Sequence, residues 1–254
     1  MLKLITALIS TFTLLSPAPV HSSDRLVITS GGTVGKPRVY DGHGQSVGGI
    51  TVEASNVVVQ NYRLDKPEAP GVEVTGNHIT VSHVTITDPQ GDDGDGIRFF
   101  GNDLKIVGNT IRGTHNSDDR HADCMQTFAD DTPPSQRVLI ENNRCEQIDN
   151  MCLMAEGPND GEGDGHGHSN TFTFRNNYCE TLDASQALMI EDIQHLTVTG
   201  NTFAASPDKA IGLDLHSTDA HIGKNKLSPT IECDVGIDDS SRPGYQGPKP
   251  GCAP

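Results

Sequence analysis

Leu104-Lys105-Ile106-Val107-Gly108-Asn109-Thr110-Ile111 sets apolar residues at alternate places on either side of an asparagine, and the chain returns to this plan four times. The later copies run from Val138-Leu139-Ile140 to Asn143-Arg144-Cys145 and from Phe172-Thr173-Phe174 to Asn177-Tyr178-Cys179. Two more run from Leu196-Thr197-Val198 to Asn201-Thr202-Phe203 and from Ala220-His221-Ile222 to Asn225-Lys226-Leu227. Upstream, Val57-Val59-Leu64 and Ile79-Val81-Ile86 occupy the apolar places, with Tyr62 and Val84 where the asparagine would stand. Alternation with a period of two marks strands that bury one face, and segments of three to five residues are too short for helices.

The asparagines follow one another at intervals of 34, 34, 24 and 24 residues. A fixed period with short strands predicts an all-β, right-handed parallel β-helix of about seven or eight coils, each stacked on the last at about 4.8 Å. Buried asparagines in one column can bond along the stack and hold a tight turn. The predicted organisation is a cap at 23–48, the β-helix at 49–228 and a Pro- and Gly-rich tail at 229–254.

Residues 1–22 read as a signal peptide: Lys3, an apolar run from Leu4 to Leu15, then Pro17, Pro19 and small residues. The expectation is a secreted, extracellular protein that is not held in a membrane. Without this segment the chain carries 17 basic and 34 acidic residues, a net charge of −17. Such a surface repels nucleic acid and anionic lipid. No flat ladder of one residue type faces solvent: the predicted outward column Arg63, Thr85, Thr110, Arg144, Tyr178, Thr202, Lys226 is mixed, which excludes an ice-binding face. A monomer is expected.

The two longer intervals carry insertions at 129–137 and 156–169, and two further loops, 88–95 and 113–123, precede first strands of neighbouring coils. Loops clustered on a few coils are how a solenoid builds a binding site. First strands align as Asp95-Gly96-Ile97-Arg98, Asp123-Cys124-Met125-Gln126 and Asp149-Asn150-Met151-Cys152. This alignment puts Asp95, Asp123 and Asp149 in one corner column and Phe100, Phe128 and Met154 in an outward row. Cys145 and Cys179 share a column about 5 Å apart, so a bridge is expected there. A second is expected between Cys233 and Cys252, while Cys124 and Cys152, about 8 Å apart by strand rise and stacking, are left unpaired.

His121 and Gln126 depart from their counterparts in the other coils, which stacking does not require, and so mark the candidate centre. Around them lie His115, Asp118, Asp119, Arg120 and Asp123, with Asp92, Asp93, Asp95 and Arg98 one coil away and Glu156 at the start of an acidic loop. So many carboxylates on one edge cannot all ionise without cost. Either calcium binds, with Asp93 and Asp95 as ligands, or one carboxyl keeps its proton and acts as an acid.

The repeating strands and the asparagine column resemble the pectin-lyase-like superfamily of right-handed parallel β-helices over nearly the whole chain after residue 22. The resemblance implies a secreted carbohydrate-active enzyme, polysaccharide lyases and glycoside hydrolases both being well represented. Ala122-Asp123-Cys124 and Gly165-His166-Gly167 partly match polygalacturonase-like motifs. The Arg-x-Pro-x-x-Arg run of pectate lyases is absent, so no catalytic residue is carried over. The expectation is a lyase acting on an anionic, uronate-containing polysaccharide. His121, or a basic residue beside it, would take the C5 proton, Asp123 would hold the imidazole's tautomer, calcium, Arg120 or Arg98 would neutralise the sugar carboxylate and Gln126 would bond the enolate. Arg98, His115, Asp118, Asp119 and Glu156 would bind substrate. The alternatives are hydrolysis by an Asp pair near 118–123 and a non-catalytic carbohydrate-binding β-helix.

Overall fold

The computed structural model describes residues 23–116, 121–129, 133–205 and 207–254. Parallel strands build three sheets that wrap one core, the architecture of a parallel β-helix. The first sheet holds Arg25–Ile28, Gly49–Val52, Val72–Val74, Ile97–Phe99, Met125–Thr127, Leu153–Glu156, Gln186–Glu191, Lys209–Asp214 and Cys233–Ile237, in that order. These nine strands exceed the expected coil number because Arg25–Ile28 and Cys233–Ile237 extend the ladder without carrying the asparagine plan. The second sheet has nine strands, eight in sequence order from Arg38–Asp41 to His221–Ile222 and Ile193–Gln194 paired to Ser169–Arg175 off that path, and the third has seven, from Arg63–Asp65 to Lys226–Leu227. Among the described residues no helix is long and apolar enough to cross a membrane.

The column Arg63, Thr85, Thr110, Arg144, Tyr178, Thr202, Lys226 is in register through the third sheet. Facing inward on the second sheet, Ile106, Ile140, Phe174, Val198 and Ile222 stack at successive levels of the core.

Between these two sheets the chain turns through the asparagine column. The residue before each of the first four column members takes a left-handed φ: +67° at Gly108, +56° at Asn142 and Asn176, and +71° at Gly200. Glycine and asparagine tolerate that conformation at little cost, which explains their recurrence. The turn strips backbone N–H groups of ladder partners, and each asparagine replaces them. Asn143 Oδ1 accepts from the Asn109 N–H (2.9 Å) and Nδ2 (3.0 Å), while Asn143 Nδ2 donates to Ile106 O (2.8 Å) and Asn177 Oδ1 (3.1 Å). Asn177 and Asn201 repeat the pattern up to Asn225.

One strand is displaced from the predicted alignment. Gln126 pairs with Met154 and Thr127 with Ala155, so Met151, not Asp149, stands level with Asp123. Asp149 lies outside the corner column and receives the Asn116 N–H (2.9 Å). The disulfides also differ from the expected pairing. Cys145 and Cys179 are register partners but are not bonded; Cys145 instead crosses the core to Cys124, with Cα atoms 5.9 Å apart. Neighbouring parallel strands direct in-register side chains alongside one another, whereas strands on opposite walls direct them face to face. Cys233 is bonded to Cys252, fastening the tail.

Candidate functional site

The sequence-predicted residues separate into three groups. Asp118, Asp119 and Arg120 lie outside the described residues. His121 is exposed, and among the described residues its imidazole makes no hydrogen bond. Asp123 does not hold that ring: its Oδ1 accepts from Asn150 Nδ2 (2.9 Å) and the Met151 N–H (2.8 Å). His115 turns toward Asp149, 3.4 Å away. Gln126 is buried, with Nε2 donating to Met154 Sδ (3.3 Å) and Oε1 without a partner among the described residues.

The second group centres on Arg98. Its guanidinium reaches Asp95 Oδ2 (2.6 Å), Asp93 Oδ2 (2.8 Å) and Asp92 Oδ2 (3.4 Å), and it lies over the Phe128 ring. These contacts commit Arg98 internally rather than leaving it free for substrate. They also put a side-chain cation beside Asp93 and Asp95, the residues expected to hold calcium.

Asp95 and Asp123 are both fully buried, and the Asp123 N–H donates to Asp95 Oδ1 (2.9 Å). Burial pushes the Asp95 carboxyl up to about 6 against the pull of Arg98. Burial, then the charge of Asp95, raises Asp123 well above the carboxylate range, although the Met151 and Asn150 bonds oppose this. Its Oδ2 is buried and has no hydrogen-bond partner among the described residues.

The third group was only partly legible. On the outer face of the first sheet, register brings Glu156, Glu191 and Asp214 into one row across three neighbouring strands. The row continues one strand back to Phe128, whose ring meets Phe100 edge-on at 4.8 Å. Two aromatic rings and three carboxyls thus follow one another over roughly 19 Å, at one strand spacing each. Glu156 is half-buried and is pushed up to about 7, first by burial and then by the charges of Glu191, Asp160 and Glu162. Glu191 is raised as well, by burial and then Asp214.

The acidic loop bearing Asp160 and Glu162 is fastened beside this row. Buried Asp192 accepts from the Asn159 N–H (2.9 Å) and Nδ2 (2.8 Å) and pairs with His168 Nδ1 (2.5 Å), while the Gly157 N–H reaches Glu191 O (2.8 Å). Glu191 and Asp192 are not among the residues that the sequence pattern singled out. Their only signal is the repetition of an acidic residue after the apolar strand in Ala155-Glu156, Ile190-Glu191 and Leu213-Asp214. A cavity of about 460 Å³ lies at the C-terminal end of the core among Phe203, Ile211, Ile222 and Val235 and holds none of this row.

Residues 29–227 match the family described as right handed beta helix region. The chain belongs to that family. Its handedness therefore agrees with the rule for parallel crossover connections. A search of curated proteins finds no match. Among solved structures, the chain is similar to a mutant tailspike protein of E. coli bacteriophage HK620 in complex with a pentasaccharide. The identity is 18% and the TM-score 0.56, over 81% of this chain and 42% of the tailspike. A double mutant of the same tailspike, also with pentasaccharide, matches at 16% identity and a TM-score of 0.51, over 80% of this chain and 45% of that one. The chain thus spans less than half the length of these structures, and the likeness is one of fold.

The buried carboxyls also set a pH dependence of stability. Asp95 and Glu156 have folded-state pKa values above their unfolded ones, so between about pH 4 and 7 the native chain binds more protons and stability falls as pH rises. Moving Asp95 from 3.8 to about 6 corresponds to roughly 3 kcal/mol, and Glu156, partly open to solvent, contributes less than its shift alone implies. Asp41 and Asp238, held down to about 2, act the other way below pH 4: the native chain then binds fewer protons, and stability falls as pH falls. Thermal melts are therefore expected to show a maximum near pH 4 to 5 and a midpoint lower by about 5 °C or more at pH 8. A midpoint rising from pH 5 to pH 8 would contradict the protonated buried carboxyls.

Proposed function

We propose that the protein is a secreted glycoside hydrolase that takes a polysaccharide along the outer face of the first sheet. Glu156 gives its proton to the glycosidic oxygen, and an ionised neighbour in the row, Glu191 or Asp214, activates water or attacks the anomeric carbon. The observation that carries this reading is the in-register acidic row, in which one carboxyl is held near neutrality beside another. Phe128 and Phe100 continue the row with apolar surface suited to a sugar face. The tailspike structures with bound pentasaccharide lend support to a glycan as the ligand class. An acidic row on a chain of net charge −16 favours a neutral glycan over the uronate expected from the resemblance. Elimination at His121 loses its main support, because Asp123 does not pair with that ring. Export is supported by the apolar N-terminal run and by the two disulfides.

A panel of neutral and uronate-containing polysaccharides, assayed with and without chelator, tests the reading. New reducing ends without ultraviolet-absorbing product, insensitive to chelator, are expected. An unsaturated product would replace hydrolysis by elimination, and binding without turnover would reduce the protein to a lectin-like module. Product stereochemistry then separates the two partners. Glu191 lies one strand from Glu156 and suits retention, whereas Asp214, two strands away, leaves room for an attacking water and inversion.

A further inference from the structure

We infer that Cys152 and Cys179 form a covalent modification site, oxidised to a second core disulfide stacked one coil above the Cys124–Cys145 bridge. The register carries the inference. Because Gln126 pairs with Met154, Cys152 stands on the first sheet level with Cys124, and Cys179 is the register partner of Cys145 on the third. Moving one coil along the axis therefore converts the bonded pair into the unbonded one. A solenoid that accommodates a bridge with Cα atoms 5.9 Å apart in one coil presents nearly the same frame in the next.

The side chains agree with the backbone. Both residues are fully buried, and the sulfur atoms of Cys145, Cys152 and Cys179 lie within 4.8 Å of one another. A cluster of this kind is no metal centre, since Cys145 is already bonded to Cys124 and two sulfurs cannot close a tetrahedral site alone.

Burial raises the Cys152 thiol well above its ordinary range, so little thiolate exists once the coil has closed. Oxidation then belongs to folding, through exchange with a disulfide-bearing donor such as oxidised glutathione. One thiolate attacks the donor to give a mixed disulfide, and the second displaces the donor sulfur. Each cysteine loses a proton, one S–S bond forms, and the two electrons reduce the donor to two thiols.

The test is a disulfide map of the full chain refolded from its reduced state in a glutathione redox pair, with thiols blocked before denaturation. Cleavage at Glu141, Glu146 and Glu156 places Cys124, Cys145, Cys152 and Cys179 on separate fragments. The expected map joins Cys152 to Cys179 and Cys124 to Cys145, and no thiol is alkylated after unfolding. The Cys152→Ala variant is expected to release one alkylatable thiol per chain, at Cys179. If Cys124–Cys145 and Cys233–Cys252 form in the same sample while Cys152 and Cys179 are both alkylated, the inference is overturned. Pairing along the stack, Cys124 with Cys152 and Cys145 with Cys179, overturns it equally.

Discussion

Replacing Glu156 by glutamine is expected to lower kcat on the polysaccharide substrate by roughly 10²- to 10⁴-fold, the usual contribution of a positioned proton donor. The amide has nearly the shape of the acid but no proton to give. Wild-type activity should fall above about pH 7, as Glu156 ionises, and the variant's residual activity should lose that alkaline limb. Loss through misfolding is separable, because the sign of the stability change is opposite. At pH 8 the glutamine removes a half-buried charge that faces Glu191, Asp160 and Glu162, so the thermal midpoint is expected to stay level or rise. Glu162→Gln, outside the row, supplies the companion measurement: with one repelling charge gone, the Glu156 pKa drops and the alkaline limb moves to lower pH. Retention of full activity by Glu156→Gln removes the acidic row from the chemistry.

For the scaffold, Asn143→Ala is expected to cost about 3 to 5 kcal/mol, several times the typical value for one hydrogen bond. The substitution leaves the Asn109 N–H and Nδ2 without their acceptor and Ile106 O without its donor, all in a dry turn. At the end of the column, Asn225 is only partly buried, and its Nδ2 reaches Val198 O at 3.4 Å and Gly223 O at 3.2 Å. Asn225→Ala should cost less than half as much. Denaturant midpoints for the two variants check the gradient. Equal, small effects would mean that the column is a consequence of the turn and not its support.

The two-residue slip of Leu153–Glu156 explains most of what the sequence concealed. Side chains in a strand alternate with a period of two, so moving a strand by two leaves every apolar residue on the face it already occupied. Burial pattern therefore cannot register the difference between Met151 and Leu153 as the partner of Met125. Yet that difference brings Cys152 level with Cys124 and carries Glu156 from beyond the strand end into line with Phe128. It also removes Asp149 from the corner where Asp95 and Asp123 remain. His121 breaks the repeat, as a loop residue is free to do, whereas Glu191 and Asp214 repeat the place of Glu156 and so do not stand out in the sequence.

Sequence alone determined the solenoid, the seven-member outward column of the third sheet and the asparagine turn. Each rests on local periodicity and on the few residue types that accept a left-handed φ. Tertiary structure alone decided that Cys124 pairs with Cys145 and that Glu156, Glu191 and Asp214 meet. Those depend on which levels of separate strands coincide. Coincidence of that kind is fixed by packing and by hydrogen bonds between strands some 20 to 35 residues apart, a relation that no short stretch of chain encodes.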